Sequence, residues 1–319
     1  MSTAVALRIG TRASALALWQ ARHVAQLIDA QPGAPRAELR HIRTAGDVQS
    51  EVPLWQAGGS AFFTREIDRA LLDGAVDAGV HSLKDMPTQL PAGVALAAVL
   101  PRADARDALV SRGGARLAAL PPGARIGTSS LRRRAFLARL RPDAQLLELR
   151  GNVPTRIERL QRGDYDAVVL AAAGLARLGL ERHVSEYLDP QDLPPAVSQG
   201  AIAVCARSGD ATTLRWLAAL DDAPTRLAVS AERALLAHLQ GGCQVPLGGL
   251  ATFTDGVLAL QASVCALDGS QRLSACAAVA AATAAEAVAL GRRVAEELLA
   301  HGAATLIAGQ RAVLAVEEP

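Results

Sequence analysis

The sequence predicts an α/β protein: two similar lobes followed by a smaller α+β domain. Three observations carry that reading. Over the first two-thirds of the chain, short apolar runs alternate with stretches of helical period, the pattern of strand–helix–strand units. Arg8-Ile9-Gly10-Thr11 returns as Arg125-Ile126-Gly127-Thr128, and each copy ends a strand run and precedes a Ser-started helix. After Asp221-Asp222-Ala223-Pro224 the texture changes to a helix, three alternating strand runs and a closing helix.

In order, residues 5–10 read as a strand, and Ser14 caps a helix over 15–28. A strand at 38–43 follows, then a long loop bracketed by Gly46-Asp47 and Gly58-Gly59-Ser60, then a helix over 62–72. Residues 75–80 form a short apolar run read as a buried strand, and Pro87 stops any helix after it. Residues 94–100 are another strand, and Pro101-Arg102-Ala103-Asp104 is a connector. The second lobe continues as strand 145–149, helix 153–161, strand 166–171 and a short helix near 175–178. Leu193-Pro194-Pro195 is a second connector, and strand 201–206 returns to the first lobe. Two crossings between lobes imply a hinge. A helix over 225–239 ends at Gly241-Gly242, with strands at 247–252, 257–267 and 272–280 and a covering helix over 284–300. The implied boundaries are 1–100 plus 200–220, 105–195 and 224–319.

Composition narrows the function. Of 319 residues, 50% are hydrophobic and 20% charged, enough to bury sizeable cores. A net charge of +2 is too small for a nucleic-acid binder held by a basic field. The most apolar run, 275–285, is mostly Ala and shorter than the ~18–20 residues a membrane span needs. Met1-Ser2-Thr3-Ala4 lacks the basic and apolar regions of a secretory signal, so the expected location is the cytoplasm. Four cysteines without paired spacing and six histidines without metal-ligand spacing argue against disulfides and metal.

The chemistry gathers at a few stretches. Lys84 is the only lysine among 33 basic residues, and it lies beside Asp85 just past a strand's carboxyl end, where α/β proteins build sites. Arg12, Arg132, Arg133, Arg150 and Arg156 fall in strand-to-helix turns or first helical turns, against the preference of the helix dipole. Thr128-Ser129-Ser130 add hydroxyls and N–H groups at the same kind of place. Together they fit a ligand with several carboxylates or phosphates, held between the lobes; ion pairing within the protein is the competing account. Cys205, Cys265 and Cys276 lie in apolar strands and read as inert core, whereas Cys243 sits in a glycine-flanked loop where a thiol is accessible. Phe62-Phe63 is either a stacking lid over a flat ligand or a packed helix start.

Side by side, these stretches resemble the porphobilinogen deaminases, also called hydroxymethylbilane synthases, over essentially the whole chain. The motifs that carry the resemblance are the opening Arg8–Arg12 stretch, Val80-His81-Ser82-Leu83-Lys84-Asp85-Met86-Pro87, Gly127-Thr128-Ser129-Ser130-Leu131-Arg132-Arg133, Arg150-Gly151-Asn152-Val153 and Gly241-Gly242-Cys243-Gln244-Val245-Pro246. The resemblance implies two periplasmic-binding-protein-like lobes and a third α+β domain. It implies a cytoplasmic, monomeric transferase of tetrapyrrole biosynthesis that joins four porphobilinogens head to tail, losing ammonia each time, to give hydroxymethylbilane. It implies a dipyrromethane cofactor attached through Cys243, with Asp85 as catalytic carboxylate. Lys84, Asp85, Ser129, Arg132 and Arg133 match cofactor-binding positions. Arg12, Ser14, Arg150 and Arg156 match substrate-binding positions, and Phe63 the ring-stacking one. No metal, nucleic-acid or membrane partner is implied.

The chain departs from that family's pattern at Ala45, Ser60-Ala61, Pro154, Ser198 and Gln240, where Arg, Lys, Gly, Gly and an acidic residue are usual. Two other classes stay open on the residues alone. A two-lobed binding protein for an organic anion explains the arginines but not Cys243. A pyridoxal phosphate enzyme explains the lone lysine.

Overall fold

The Arg-Ile-Gly-Thr repeat marks the central strands of two sheets of the same design. In this computed structural model, the described residues are 6–48, 63–239, 245–280 and 283–308. The chain divides into a first unit of Met1–Ser50, Ser60–Ala103 and Gly200–Arg226, and a second of Glu51–Gly59, Asp104–Gln199 and Leu227–Pro319. The first unit opens with β1 (Leu7–Thr11), α1 (Ala15–Asp29), β2 (Ala37–His41), α2 (Ala45–Val48), α3 (Arg65–Leu72), β3 (Ala78–Ser82) and β4 (Val94–Val99). The second continues with β5 (Asp107–Ser111), β6 (Arg125–Gly127), α4 (Leu131–Leu140), β7 (Gln145–Leu147), α5 (Val153–Gln161), β8 (Ala167–Ala171), α6 (Ala172–Arg177) and β9 (Glu186–Tyr187). The chain returns to the first unit for β10 (Ile202–Arg207) and α7 (Ala211–Ala218). It ends in the second with α8 (Ala223–His238), which starts at the boundary, β11 (Leu247–Thr254), β12 (Val257–Cys265), β13 (Arg272–Ala280) and α9 (Ala284–Ala300).

The two five-stranded sheets run β2-β1-β3-β10-β4 and β7-β6-β8-β5-β9. Each has one antiparallel strand in the fourth position, β10 in the first and β5 in the second. Both strands follow directly on a crossing of the chain from one unit to the other. The repeated residues have the same jobs in both sheets. Arg8 donates its backbone N–H, Nε and Nη2 to the Asp77 carboxylate, and Arg125 does the same to Asp166. The glycines mark close approaches. A Cβ on Gly10 would lie 3.0 Å from Ile42 Cδ1, and one on Gly127 2.9 Å from the Tyr165 ring. Two lobes of one design are thus borne out.

Local chemistry starts the helices. Ser14, Ser130 and Asn152 cap α1, α4 and α5 by accepting N–H groups of Ala17, Arg133 and Thr155. Along α1, Gln20, Ala21, Val24, Ala25 and Ile28 form one buried stripe against the sheet. Pro154 lies in the first turn of α5, where its missing N–H costs nothing.

The third domain is an antiparallel meander, β11-β12-β13. Two helices share its core, not one: Ala231 and Leu235 of α8 pack with Leu290 and Val294 of α9. A Cβ on Gly291 would meet Ala231 O at 2.2 Å, so this glycine lets the two helices touch. The domain rests on the second lobe through the Pro194-Pro195 segment, which is buried. Gly249 N–H donates to Pro195 O, and a Cβ on Gly248 would overlap Pro194 O.

Several expectations change. The helix expected near 175–178 is α6, at Ala172–Arg177, and the one expected from 62 starts at Arg65. Strand β5, strand β9 and α7 were not foreseen; β5 and β9 have only five and two residues, too short for a period to show. Cys205 and Cys265 are buried as expected, but Cys276 is exposed, because β13 turns alternate residues outward. Among the described residues no helix is long and apolar enough to cross a membrane.

Candidate active site

In the first unit β1 and β3 run parallel and adjacent, so their carboxyl ends open on one side. Thr11 ends β1 and hands over to Arg12; Ser82 ends β3 and hands over to a single 3₁₀ turn, Leu83–Asp85. The turn is pinned by Leu83, which is wholly buried and donates its N–H to Ala201 O. Arg12, Ser14, Gln20, Phe63, His81, Ser82 and Asp85 line one cleft there. Phe63 is a ring under the Arg12 guanidinium, 4.3 Å from its centroid. Ser14 spends an oxygen lone pair on capping α1 and keeps its O–H as a donor. Lys84 lies in the same turn as Asp85 and is half-buried.

Three polar groups of this cleft had no role in the sequence reading. Gln20 donates from Nε2 to Ser82 Oγ at 2.9 Å, joining α1 to the end of β3. His81 is buried; burial, and then the Arg12 guanidinium, pull its pKa down to about 4, so it is neutral at pH 7. Its Nε2 is buried without a hydrogen-bond partner among the described residues. Residues 20 and 82 stand 62 positions apart in sequence, and only the fold brings them together.

In the second unit the α4 arginines divide. Arg133 has all three nitrogens engaged: Nε and Nη2 donate to Asp107 Oδ1 and Nη1 to Val169 O, which uses three of its five N–H groups. Arg132 places Nη1 2.8 Å from Asp107 Oδ2 and donates it to Pro194 O, while its Nε is buried with no partner among the described residues. Two guanidiniums share one carboxylate. Side-chain exposure is 4% for Arg132, 7% for Arg133 and 0% for Asp107. Burial pushes the Asp107 carboxyl up, but the two arginines outweigh it and hold it below the usual carboxylate range. Burial lowers the Arg132 pKa, against the pull of Asp107. Ser129 is buried just before α4, and Ser130, not Ser129, is the cap.

Arg150 and Arg156 flank the start of α5. Burial lowers the Arg150 pKa, partly offset by Glu148, and Arg156 Nε donates to Gly151 O at 2.7 Å. Gly151 has φ 106°, which brings the backbone close over Thr155. Arg177, at the end of α6, had no place in the sequence reading; burial pulls its pKa to about 10. Its position after β8 was the available signal. Cys243 falls outside the described residues, as do Ser60, Ala61, Phe62 and Gln240.

Taken singly, the first unit offers a carboxylate beside a cation and an aromatic ring, and the second a buried excess of positive charge. Comparison with known proteins is specific. Residues 7–215 match the family model described as porphobilinogen deaminase, dipyromethane cofactor binding domain, and residues 226–300 match the porphobilinogen deaminase C-terminal domain. A porphobilinogen deaminase of Syntrophotalea carbinolica is 48% identical over 303 residues, 95% of each chain. Those of Roseiflexus sp. (strain RS-1) and Burkholderia thailandensis are 49% and 47% identical, spanning 95% and 94% of this chain and 99% and 92% of theirs. Among solved structures, a nutrient binding protein from Burkholderia cenocepacia bound to methionine aligns with 66% of this chain and 89% of its own, at 16% identity and TM-score 0.42. The Bordetella pertussis BvgS periplasmic VFT2 domain aligns with 67% and 85%, at 16% identity and TM-score 0.41. The chain belongs to the porphobilinogen deaminase family. It is a transferase of tetrapyrrole biosynthesis that makes hydroxymethylbilane.

Proposed function

We propose that the matched cofactor-binding domain holds a dipyrromethane attached as a thioether to Cys243, and that Asp85 is the catalytic carboxylate. The observation that supports the fit is the α4 pair. Two buried arginines share Asp107, which leaves one positive charge in excess, and Arg132 Nε faces no acceptor among the described residues. A buried charge without a partner is costly. The acidic side chains of a dipyrromethane supply the missing acceptors. When bound, that group supplies the pyrrole carbon to which the first porphobilinogen is joined.

The chain's own residues do the rest. Asp85 accepts hydrogen bonds from pyrrole N–H groups and stabilises the positive charge left on the substrate methylene as ammonia departs. It also holds the proton moving between leaving amine and attacking carbon. Lys84, Ser129, Arg132 and Arg133 neutralise cofactor carboxylates. Arg12, Ser14, Arg150 and Arg156 hold the acetate and propionate groups of substrate, and Phe63 stacks on a pyrrole ring. Small-molecule porphobilinogen is the partner; the chain works as a cytoplasmic monomer, without nucleic acid, membrane or metal.

Intact mass tests the attachment. Purified wild type is expected heavier than its sequence by one dipyrromethane, and Cys243→Ser is expected to lack the addition and the activity. Active protein of unmodified mass rejects the reading.

A further inference from the structure

We infer that Asp107 is a positioning residue for the anion site: its one buried carboxylate sets the geometry of both α4 arginines and ties them to the crossing segments. It resembles none of the motif residues and touches no proposed ligand. Yet its one carboxylate is paired with two guanidiniums. Oδ1 accepts from Arg133 Nε at 3.1 Å, Arg133 Nη2 at 2.7 Å and Gln199 Nε2 at 2.9 Å. Oδ2 stands 2.8 Å from Arg132 Nη1.

The asymmetry of those contacts is informative. Arg133 bonds protein acceptors through all three nitrogens, which fixes its rotamer before any ligand arrives and leaves two N–H groups over. Among the described residues Arg132 is held through Nη1, and its Nε is buried without a partner. Asp107 therefore holds a pair of like charges in two different settings, Arg133 engaged at every nitrogen and Arg132 with an unpartnered Nε–H among the described residues. Without the carboxylate, two guanidiniums would repel one another in a low-dielectric interior. Both would lose the geometry on which bidentate recognition depends. Gln199 adds a mechanical link. It is the last residue of the second unit before the chain crosses back, and Asp107 begins the first strand after the outward crossing. The Gln199 amide also donates to Ala105 O. Both crossing segments are thus bonded to the carboxylate that orients the arginines.

The inference rests on the cofactor reading above. The test measures by intact mass the fraction of purified, folded chain carrying the adduct, with KM and kcat of the loaded protein. The variants are Asp107→Asn, Asp107→Glu and Asp166→Asn. Asp166 is the control, an ion-paired carboxylate in the same unit whose bonded arginine is Arg125. Asp107→Glu keeps the charge that folding needs but moves the carboxylate one methylene outward. Both Asp107 variants are expected to load about tenfold less or worse, since small misplacements of a positioning group cost that much. The loaded remainder is expected to show KM raised more than kcat is lowered. Asp166→Asn is expected to melt lower and load like wild type. Wild-type loading with unchanged KM in a folded Asp107 variant overturns the inference. So does loss of loading in Asp166→Asn in proportion to its lost stability. Failure of both Asp107 variants to fold makes the residue structural and also overturns it. A wild type without adduct overturns the cofactor reading instead, and the two failures are distinguishable.

Discussion

Ser198 shows what one residue costs. It has φ 63°, is wholly buried, and its Oγ has no partner among the described residues, while its N–H donates to Glu232 Oε2 at 2.6 Å. A left-handed conformation costs a residue with a Cβ about 1–2 kcal/mol, and a stranded hydroxyl adds to it. Ser198→Gly is expected to raise unfolding stability by about 1–2 kcal/mol in urea melts; unchanged or lower stability refutes the strain. Lys84 is the opposite case, a residue retained for its shape. In a chain that otherwise uses Arg for every basic position, the ammonium is a point donor, whereas a guanidinium beside Asp85 would fork onto the carboxylate and occupy its lone pairs. Lys84→Arg is expected to fold normally and lose about tenfold or more in kcat/KM. Arg292→Lys, on the exposed side of α9, is expected to be neutral. Full activity in Lys84→Arg would make the lone lysine an accident of composition.

At the scale of elements, α3 and β3 carry two buried groups with opposite pH behaviour. Burial pushes the Asp68 carboxyl up to about 6, against a Thr64 hydrogen bond, and His81 is pulled down to about 4. Between pH 6.5 and 4 the unfolded chain protonates residue 81 and the folded chain does not, so acidification removes stability. Between pH 6 and 3.8 the folded chain protonates Asp68 and the unfolded chain does not, so acidification adds stability. The two slopes largely cancel. Asp68→Asn exposes the histidine slope alone, and stability relative to wild type is expected to fall by up to about 3 kcal/mol from pH 6.5 to 4. Urea melts at three pH values check this; parallel pH profiles for variant and wild type would refute it.

The duplicated lobe design sets the expectation for the whole molecule. Asp77 is bonded by Arg8 and Arg207 in the first unit, and Asp166 by Arg125 in the second. Burial pushes the Asp77 carboxyl up, but its arginine bonds outweigh this and hold it at about 2. Asp77→Asn is therefore expected to cost the first unit about 2 kcal/mol. Scanning calorimetry is expected to resolve two components, with Asp77→Asn lowering one and Asp166→Asn the other. If both variants lower the same component, the units do not melt separately.

What the sequence determined by itself was the framework of strand ends. Arg8-Ile9-Gly10-Thr11 and its copy, the capping Ser and Asn residues, and the stretch through Lys84-Asp85 are local signals. A cap, a β-strand's apolar run and a crowded glycine act within a few residues of themselves. Family motifs added roles for Cys243, Phe63 and the arginines through resemblance, not through physics. What only the tertiary structure decided was how those charges are shared. Gln20 reaches Ser82 across 62 positions, and Gln199 reaches Asp107 across 92. Arg133 and Arg132 look identical in sequence, yet Arg133 Nε donates to Asp107 while Arg132 Nε has no partner among the described residues. That distinction depends on which carboxylate the sheet places beneath α4. Hydrogen-bond saturation depends on neighbours in space, and a short strand such as β5 leaves no period from which those neighbours are read.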